Sequence, residues 1–205
     1  MKIFSNLSNR IKQKKVYPTE IIGLQGVTAG VGATHLTVAL ANVLCSKERY
    51  RVAVAELRGD GRIANLMEEA WFASEGCVGF ASSGVDYYPK VNIDQVRLLS
   101  GKGYDYLLVL YPPADTGVSY GEVAHRRIVI GSLQPWNYRE YQKFMRDIYI
   151  ERDMPSWDLY GQFLTGKQKR KFEAEFHVPI RELPVIEDPF CLGKKDLEYL
   201  TSLLV

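Results

Sequence analysis

The residues most able to do chemistry lie in one turn, Gly26 to Thr34, which reads GVTAGVGAT. Small residues of this kind let backbone N–H groups approach an anion closely. The apolar run Ile21 to Leu24 precedes the turn. After it, Leu36, Leu40, Val43 and Leu44 recur at three- and four-residue spacing, the mark of one buried helical face. Strand, glycine turn and a helix opening at Thr34 together aim a row of amides and a helix N-terminus at a phosphate. The candidate nucleotide-binding residues are therefore Ala29, Gly30, Val31, Gly32, Ala33, Thr34 and His35.

A phosphate-binding loop of the form G-x-x-x-x-G-K-[ST] cradles phosphates with its amides, neutralises β/γ charge with its lysine and ligates magnesium with its hydroxyl. Gly32 and Thr34 occupy the second-glycine and hydroxyl positions, whereas Val27 replaces the first glycine and Ala33 the lysine. The amide cradle survives such changes because it needs small residues. The charged part does not, and phosphoryl transfer depends mostly on positioning and electrostatic stabilisation. Two other readings fit the same turn. One is a tight strand-to-helix turn with no ligand. The other is a nicotinamide fingerprint G-x-G-x-x-G/A beginning at Gly30, as in a small NAD-binding oxidoreductase, with Glu56 as the ribose carboxylate. Its sixth position is His35, which is bulky where a small residue is required.

The string Thr28 to Thr34 resembles the loop K-G-G-x-G-K-T of the deviant-Walker ATPases of the MinD/ParA class, matching at Gly30, Val31, Gly32 and Thr34. Gly30 to Thr34, GVGAT, is closer to the TadZ/CpaE branch of pilus-assembly and polar-localisation proteins, although Thr28 replaces the first lysine that branch often keeps. Tyr104 to Pro113, YDYLLVLYPP, is similar to the family's Y-D-Y/F-φ-φ-φ-D-x-P-P, with Leu110 at the position of the Walker B aspartate. Leu183 to Phe190 resembles the turn before the family's last helix. The resemblance implies ATP and magnesium as cofactors and a homodimer as the assembly. It makes Thr34 and Glu56 the magnesium candidates, Glu56 standing where the family ends its next strand in Asp. The other reading of Glu56 is a strand-end carboxylate held by a nearby amide or arginine. Asp115 is a substitute acid only by position, and Asp105 reads as a local cap or pairing group.

The elements that must position these residues alternate in type. Arg51–Leu57 reads as a strand buried on both faces, and Arg126–Ser132 and Leu159–Leu164 as further strands. Ile63–Ala73 reads as helical, Glu75–Pro89 as a connection with one or two short strands, and Asn92 as the cap of a helix carrying Ile93, Val96 and Leu99. Gly166–Phe176 and Lys194–Leu204 read as the last two helices. This alternation predicts a single-domain α/β fold of the P-loop NTPase type, a mostly parallel sheet with helices on both faces. Its domain spans residues 20–205, behind a basic segment or linker over residues 1–19.

Composition agrees with a folded globular chain. Of 205 residues 46% are hydrophobic and 24% charged, and no apolar run approaches the ~20 residues that cross a bilayer. Cys45, Cys77 and Cys191 never form a C-x-x-C pair and read as mostly buried thiols of a cytoplasmic protein. The scattered His35, His125 and His177 show no metal site. The first twenty residues carry +4 and the rest −2, which argues against nucleic-acid binding. Residues 1–17 space Ile3, Phe4, Leu7 and Ile11 among lysines, a pattern suited to a frayed helix or to peripheral contact with an anionic membrane.

Thr28, Ala33 and Leu110 together remove both lysines and the acid of the family's site. The sequence thus predicts a pseudo-ATPase with weak or no ATP binding and no cation fixed in the pocket. Its role would be that of a scaffold or localisation component of a Tad-type pilus or secretion assembly, working through protein partners. The alternative is a working, slow MinD/ParA-like dimerisation switch.

Overall fold

The computed structural model describes residues 18–57, 61–67, 70–74, 76–114, 123–151 and 157–204, with side chains of α3 described to residue 147. Among these described residues nine strands form one sheet in the order β3-β4-β5-β2-β6-β1-β7-β8-β9. In chain order these are β1 (Glu20–Gly26), β2 (Val52–Leu57), β3 (Phe72–Ser74), β4 (Cys77–Ser82), β5 (Val85–Val91), β6 (Tyr106–Leu110), β7 (Arg126–Ser132), β8 (Trp157–Gln162) and β9 (Ile180–Leu183). From β5 to β9 every neighbouring pair is parallel; only the β3–β4–β5 edge is antiparallel.

Side-chain alternation along the central strands divides the core. Ile22 and Leu24 of β1, with Leu108 and Leu110 of β6, face α1 (Ala33–Ser46) and α5 (Lys194–Ser202). Ile21, Leu107 and Val109 face the opposite way, onto Val96 and Leu99 of α2 (Ile93–Ser100). Val129 and Leu159 continue that second face under α3 (Tyr138–Glu151) and α4 (Gly166–Phe176), where Tyr141, Met145, Phe172 and Phe176 are buried. Burial on both faces is why these strands read as nearly unbroken apolar runs. The fold expected from the sequence, a mostly parallel sheet covered on both sides, is the one observed.

Local signals also hold. Asn92 caps α2 through a capping box: its side chain accepts from Gln95 N–H at 2.9 Å, and its own N–H donates to the Gln95 side chain at 2.8 Å. Asp105 accepts a hydrogen bond from Arg51 N–H at 2.8 Å, the local pairing read from its position. The connection over Glu75–Pro89 holds two strands, β4 and the greater part of β5, within the one or two expected. Two expectations need correction. The helix expected over Ile63–Ala73 is a 3-10 turn, Arg62–Leu66, in which only Ile63 is buried, followed by β3. Cys191 is exposed, so the thiols are not uniformly interior. Among the described residues no helix is long and apolar enough to cross a membrane.

Candidate functional site: a cavity over the glycine turn

Parallel strands deliver their following loops to one edge, and every segment of the candidate site sits there. After β1 the chain enters the glycine turn, held to β7 by the Val27 N–H bond to Ile130 O at 2.8 Å. Val27 is buried against Val129 and Tyr141, on the side away from the cavity, so its side chain in the first-glycine position does not fill the cradle. Val31 plugs the other face of the turn into the core beside Leu36 and Leu40. Gly30 and Gly32 both have φ of +81°, a left-handed conformation open to glycine at little cost. They reverse the chain so that α1 begins at Ala33. Gly32 caps α1 without any side-chain hydrogen bond, and no acidic residue occupies the first turn, so the helix presents its leading amides and positive end uncapped.

Those amides face a cavity of about 590 Å³. One wall is Gly26 and Thr28 to His35, which brings all seven predicted nucleotide-binding residues, Ala29 to His35, onto a single surface. The facing wall comes from the ends of β2 and β6: Glu56, Arg62 and Leu110 to Pro113. Both predicted magnesium candidates, Thr34 and Glu56, line this same space. The β6 wall is fixed to β1 by the Tyr111 N–H bond to Leu24 O at 2.8 Å and by Gln25 Nε2 donating to Pro112 O at 3.2 Å. Behind it, the Arg127 guanidinium lies 4.4 Å from the Tyr111 ring centroid and 4.5 Å from that of Trp157.

Strand register explains the chemistry of the facing wall. Leu110 is aligned with Leu24 of β1 on one side and with Glu56 of β2 on the other. Aligned residues of parallel strands share a face, so all three point toward α1. The acid nearest the turn is therefore displaced by one strand, roughly 5 Å, from the position that Leu110 occupies. Glu56 is only 3% exposed, and its Oε1 accepts a hydrogen bond from Arg62 N–H at 3.2 Å. Of the two readings of Glu56, the held strand-end carboxylate is thus realised, on a residue that also reaches the cavity. Asp60 and Asp115 lie outside the described residues.

The expectation that no fixed cation stands in this pocket is corrected by Arg62. It follows β2 by five residues and opens the 3-10 turn, and its destination was not legible in the sequence. The signal that could have found it is its place: a charged residue just past the C-terminal end of a central parallel strand. A second, smaller cavity of about 220 Å³, also missed, adjoins the first across Gly32 and His35. Its walls are Leu36, Gln162, Phe163 and Leu183 to Ile186. His35 Nε2 is buried at this junction with no hydrogen-bond partner among the described residues.

No protein-family model matches the sequence, and no curated protein is a significant match to it. Solved structures do match. A chain of the MinC:MinD cell division protein complex of Aquifex aeolicus superposes with a TM-score of 0.62 at 14% identity, covering 91% of this chain and 96% of the other. A plasmid partition protein from Borrelia burgdorferi B31, bound to AMPPNP, gives 0.60 at 13% identity over 92% and 97%. Cobyrinic acid a,c-diamide synthase from Mycobacterium smegmatis, with bound ADP and magnesium, gives 0.61 at 14% identity over 91% and 94%. The fold is that of the MinD/ParA P-loop ATPases.

The sheet order of that MinD/ParA fold bears on the dinucleotide alternative. In a doubly wound dinucleotide domain the strand ending in the ribose carboxylate lies beside the strand that enters the glycine turn. In this chain β6 intervenes between β2 and β1, which sets Glu56 two strands away, and its Oε1 is engaged by the Arg62 amide. The nicotinamide reading loses its ribose ligand.

Proposed function

We propose that this chain binds a nucleoside di- or triphosphate over its glycine turn and has lost the means to hydrolyse it, acting as a pseudo-ATPase of MinD/ParA type. The observation that carries this reading is the uncapped N-terminus of α1, with Gly30 and Gly32 left-handed, facing a cavity of about 590 Å³. Amides and a helix dipole stabilise phosphate charge without any side chain. The adjoining cavity of about 220 Å³, with apolar walls and the polar ends of His35 and Gln162, suits a base and sugar.

Magnesium fits this donor set. It binds through one or two protein oxygens plus phosphate oxygens and water, so no cluster of acids is needed. Thr34 would ligate it directly and Glu56 through water, from opposite walls of the cavity. Its contribution when bound is neutralisation of phosphate charge. The chain's own part is to position phosphates on the Gly30 to His35 amides and to close the β6 side with an apolar residue. Leu110 is buried and can neither hold a metal's water nor orient a nucleophile, and Ala33 brings no charge to the transferring phosphate.

Thermal melting with ATP, ADP or NAD, each with and without magnesium, tests the reading. MgADP and MgATP are expected to raise the melting temperature by a few degrees, NAD to leave it unchanged, and phosphate release to stay at background. Thr34→Ala should erase the magnesium dependence. Absence of any nucleotide shift, or steady turnover of ATP, would overturn the proposal.

A second reading concerns what the bound state is for. Trp136 (77% exposed), Phe163 (62%) and Val185 (68%) follow the ends of β7, β8 and β9 at the same edge as the glycine turn. Large exposed apolar side chains gathered at one edge favour a protein partner. This supports a scaffold or localisation role, with a second copy or a component of a TadZ/CpaE-like pilus or secretion assembly docking beside the nucleotide.

A further inference from the structure

Ala33 and Thr28 leave the glycine turn without charge, yet a diphosphate or triphosphate brings several negative charges against it. Among the described residues lining the cavity, Arg62 is the one arginine or lysine. We infer that Arg62 holds the terminal phosphate of the bound nucleotide, supplying from the β2 side the positive charge that a loop lysine would supply from below. This inference rests on the nucleotide-binding reading given above.

The local fold places Arg62 firmly while leaving its side chain outside the core. Gly61 has φ of +73° and opens the 3-10 turn, with the Lys90 side chain packed where a Cβ on Gly61 would stand. Ile63, the next residue after Arg62, is fully buried and anchors the turn into the α1 face of the core. The Arg62 N–H is tied to Glu56 Oε1 at 3.2 Å, so the backbone is fixed from three directions. Arg62 itself is exposed and lines the cavity.

Electrostatics assigns the role. Glu56 brings a buried carboxylate to the same wall, and a carboxylate facing phosphates repels them unless a cation stands between. Magnesium can fill one such gap. The Arg62 guanidinium, on a residue that lines the same cavity as Glu56, would fill another, and its planar fork matches two phosphate oxygens at once. The substitution pattern then reads as a relocation of the cation, from the loop to the turn that follows β2, beside the strand-end acid position that Glu56 keeps.

Calorimetric titration of the intact chain with MgADP and with magnesium pyrophosphate tests this on wild type, Arg62→Gln, Arg62→Lys and, as a distant control, Arg97→Gln on α2. Arg62→Gln should weaken both ligands about tenfold to a hundredfold, the range expected for a charged hydrogen bond. Arg62→Lys should weaken them less, Arg97→Gln not at all, and the salt dependence of binding should flatten in Arg62→Gln. Melting within about 2 °C of wild type shows that the turn is intact; if Arg62→Gln fails that check, Arg62→Lys carries the comparison. Binding by the folded variant within twofold of wild type overturns the inference and leaves the nucleotide reading standing. Pyrophosphate binding that depends on Arg62, without nucleotide binding, sinks the nucleotide reading and the inference with it, leaving Arg62 as a ligand of some other phosphate. A wild type that binds neither ligand sinks both.

Discussion

At the scale of single residues, binding and turnover would rest on different groups if the chain acts as proposed. Binding would use backbone geometry, which Gly30, Gly32 and the uncapped α1 N-terminus provide. Turnover would need charged side chains where Ala33 and Leu110 carry none. Ala33 lines the cavity at the first turn of α1 and is only partly buried, so a longer side chain there has somewhere to go. Ala33→Lys should therefore strengthen MgADP binding about tenfold, as one added charged hydrogen bond to phosphate would. It should not restore hydrolysis, because Leu110 still lines the cavity with no acid there and Glu56 sits a strand further out. Titration paired with a phosphate-release assay checks both halves, and measurable turnover from this single substitution would refute the separation.

At the scale of elements, the cavity wall depends on a stack that crosses strands. Arg127 of β7 lies between the rings of Tyr111, just past β6, and Trp157 of β8, with its guanidinium 4.4 Å and 4.5 Å from their centroids. Each cation–π contact of a desolvated arginine is worth about 0.5–2 kcal/mol. Arg127→Met, which keeps the length and loses the charge, should lower unfolding free energy by about 1–3 kcal/mol in urea and weaken nucleotide binding by loosening the Tyr111–Pro113 wall. A variant with full stability and full affinity would show the stack to be idle. None of this was visible in the sequence, because Arg127 reads simply as the start of the strand RRIVIGS. The elements that were legible are those whose signal is local: the apolar runs of β1, β2 and β7, the capping box at Asn92, and the glycine turn itself. What stayed hidden came from pairings distant in sequence. The stretch Ile63–Ala73 reads as helical but holds a 3-10 turn and the start of β3, and Arg62 acquired its meaning only when β2 was placed one strand from β6.

At the scale of the whole molecule, charge and apolar surface sit at different places along the chain. The first twenty residues hold +4 and the remainder −2, and the basic ones lie among Ile3, Phe4, Leu7 and Ile11. The folded domain makes its own attachment immediately afterwards: Thr19 is buried, and its hydroxyl bonds Ser100 O and Tyr104 O, each at 2.7 Å. A chain beginning at Glu20 should therefore lose about 1–3 kcal/mol relative to one beginning at Pro18, since the Ser100 and Tyr104 carbonyls lose the hydroxyl they share. The full chain and the Pro18 chain together test the basic segment as a membrane contact. Each basic residue near an anionic bilayer contributes about 1 kcal/mol, so five of them with four apolar neighbours give reversible, salt-sensitive binding. Co-sedimentation with phosphatidylserine vesicles should retain the full chain at low salt, release it at high salt and leave the Pro18 chain in solution. Equal retention of both chains would place the contact on the folded domain instead, where the exposed Trp136, Phe163 and Val185 offer the next candidate surface.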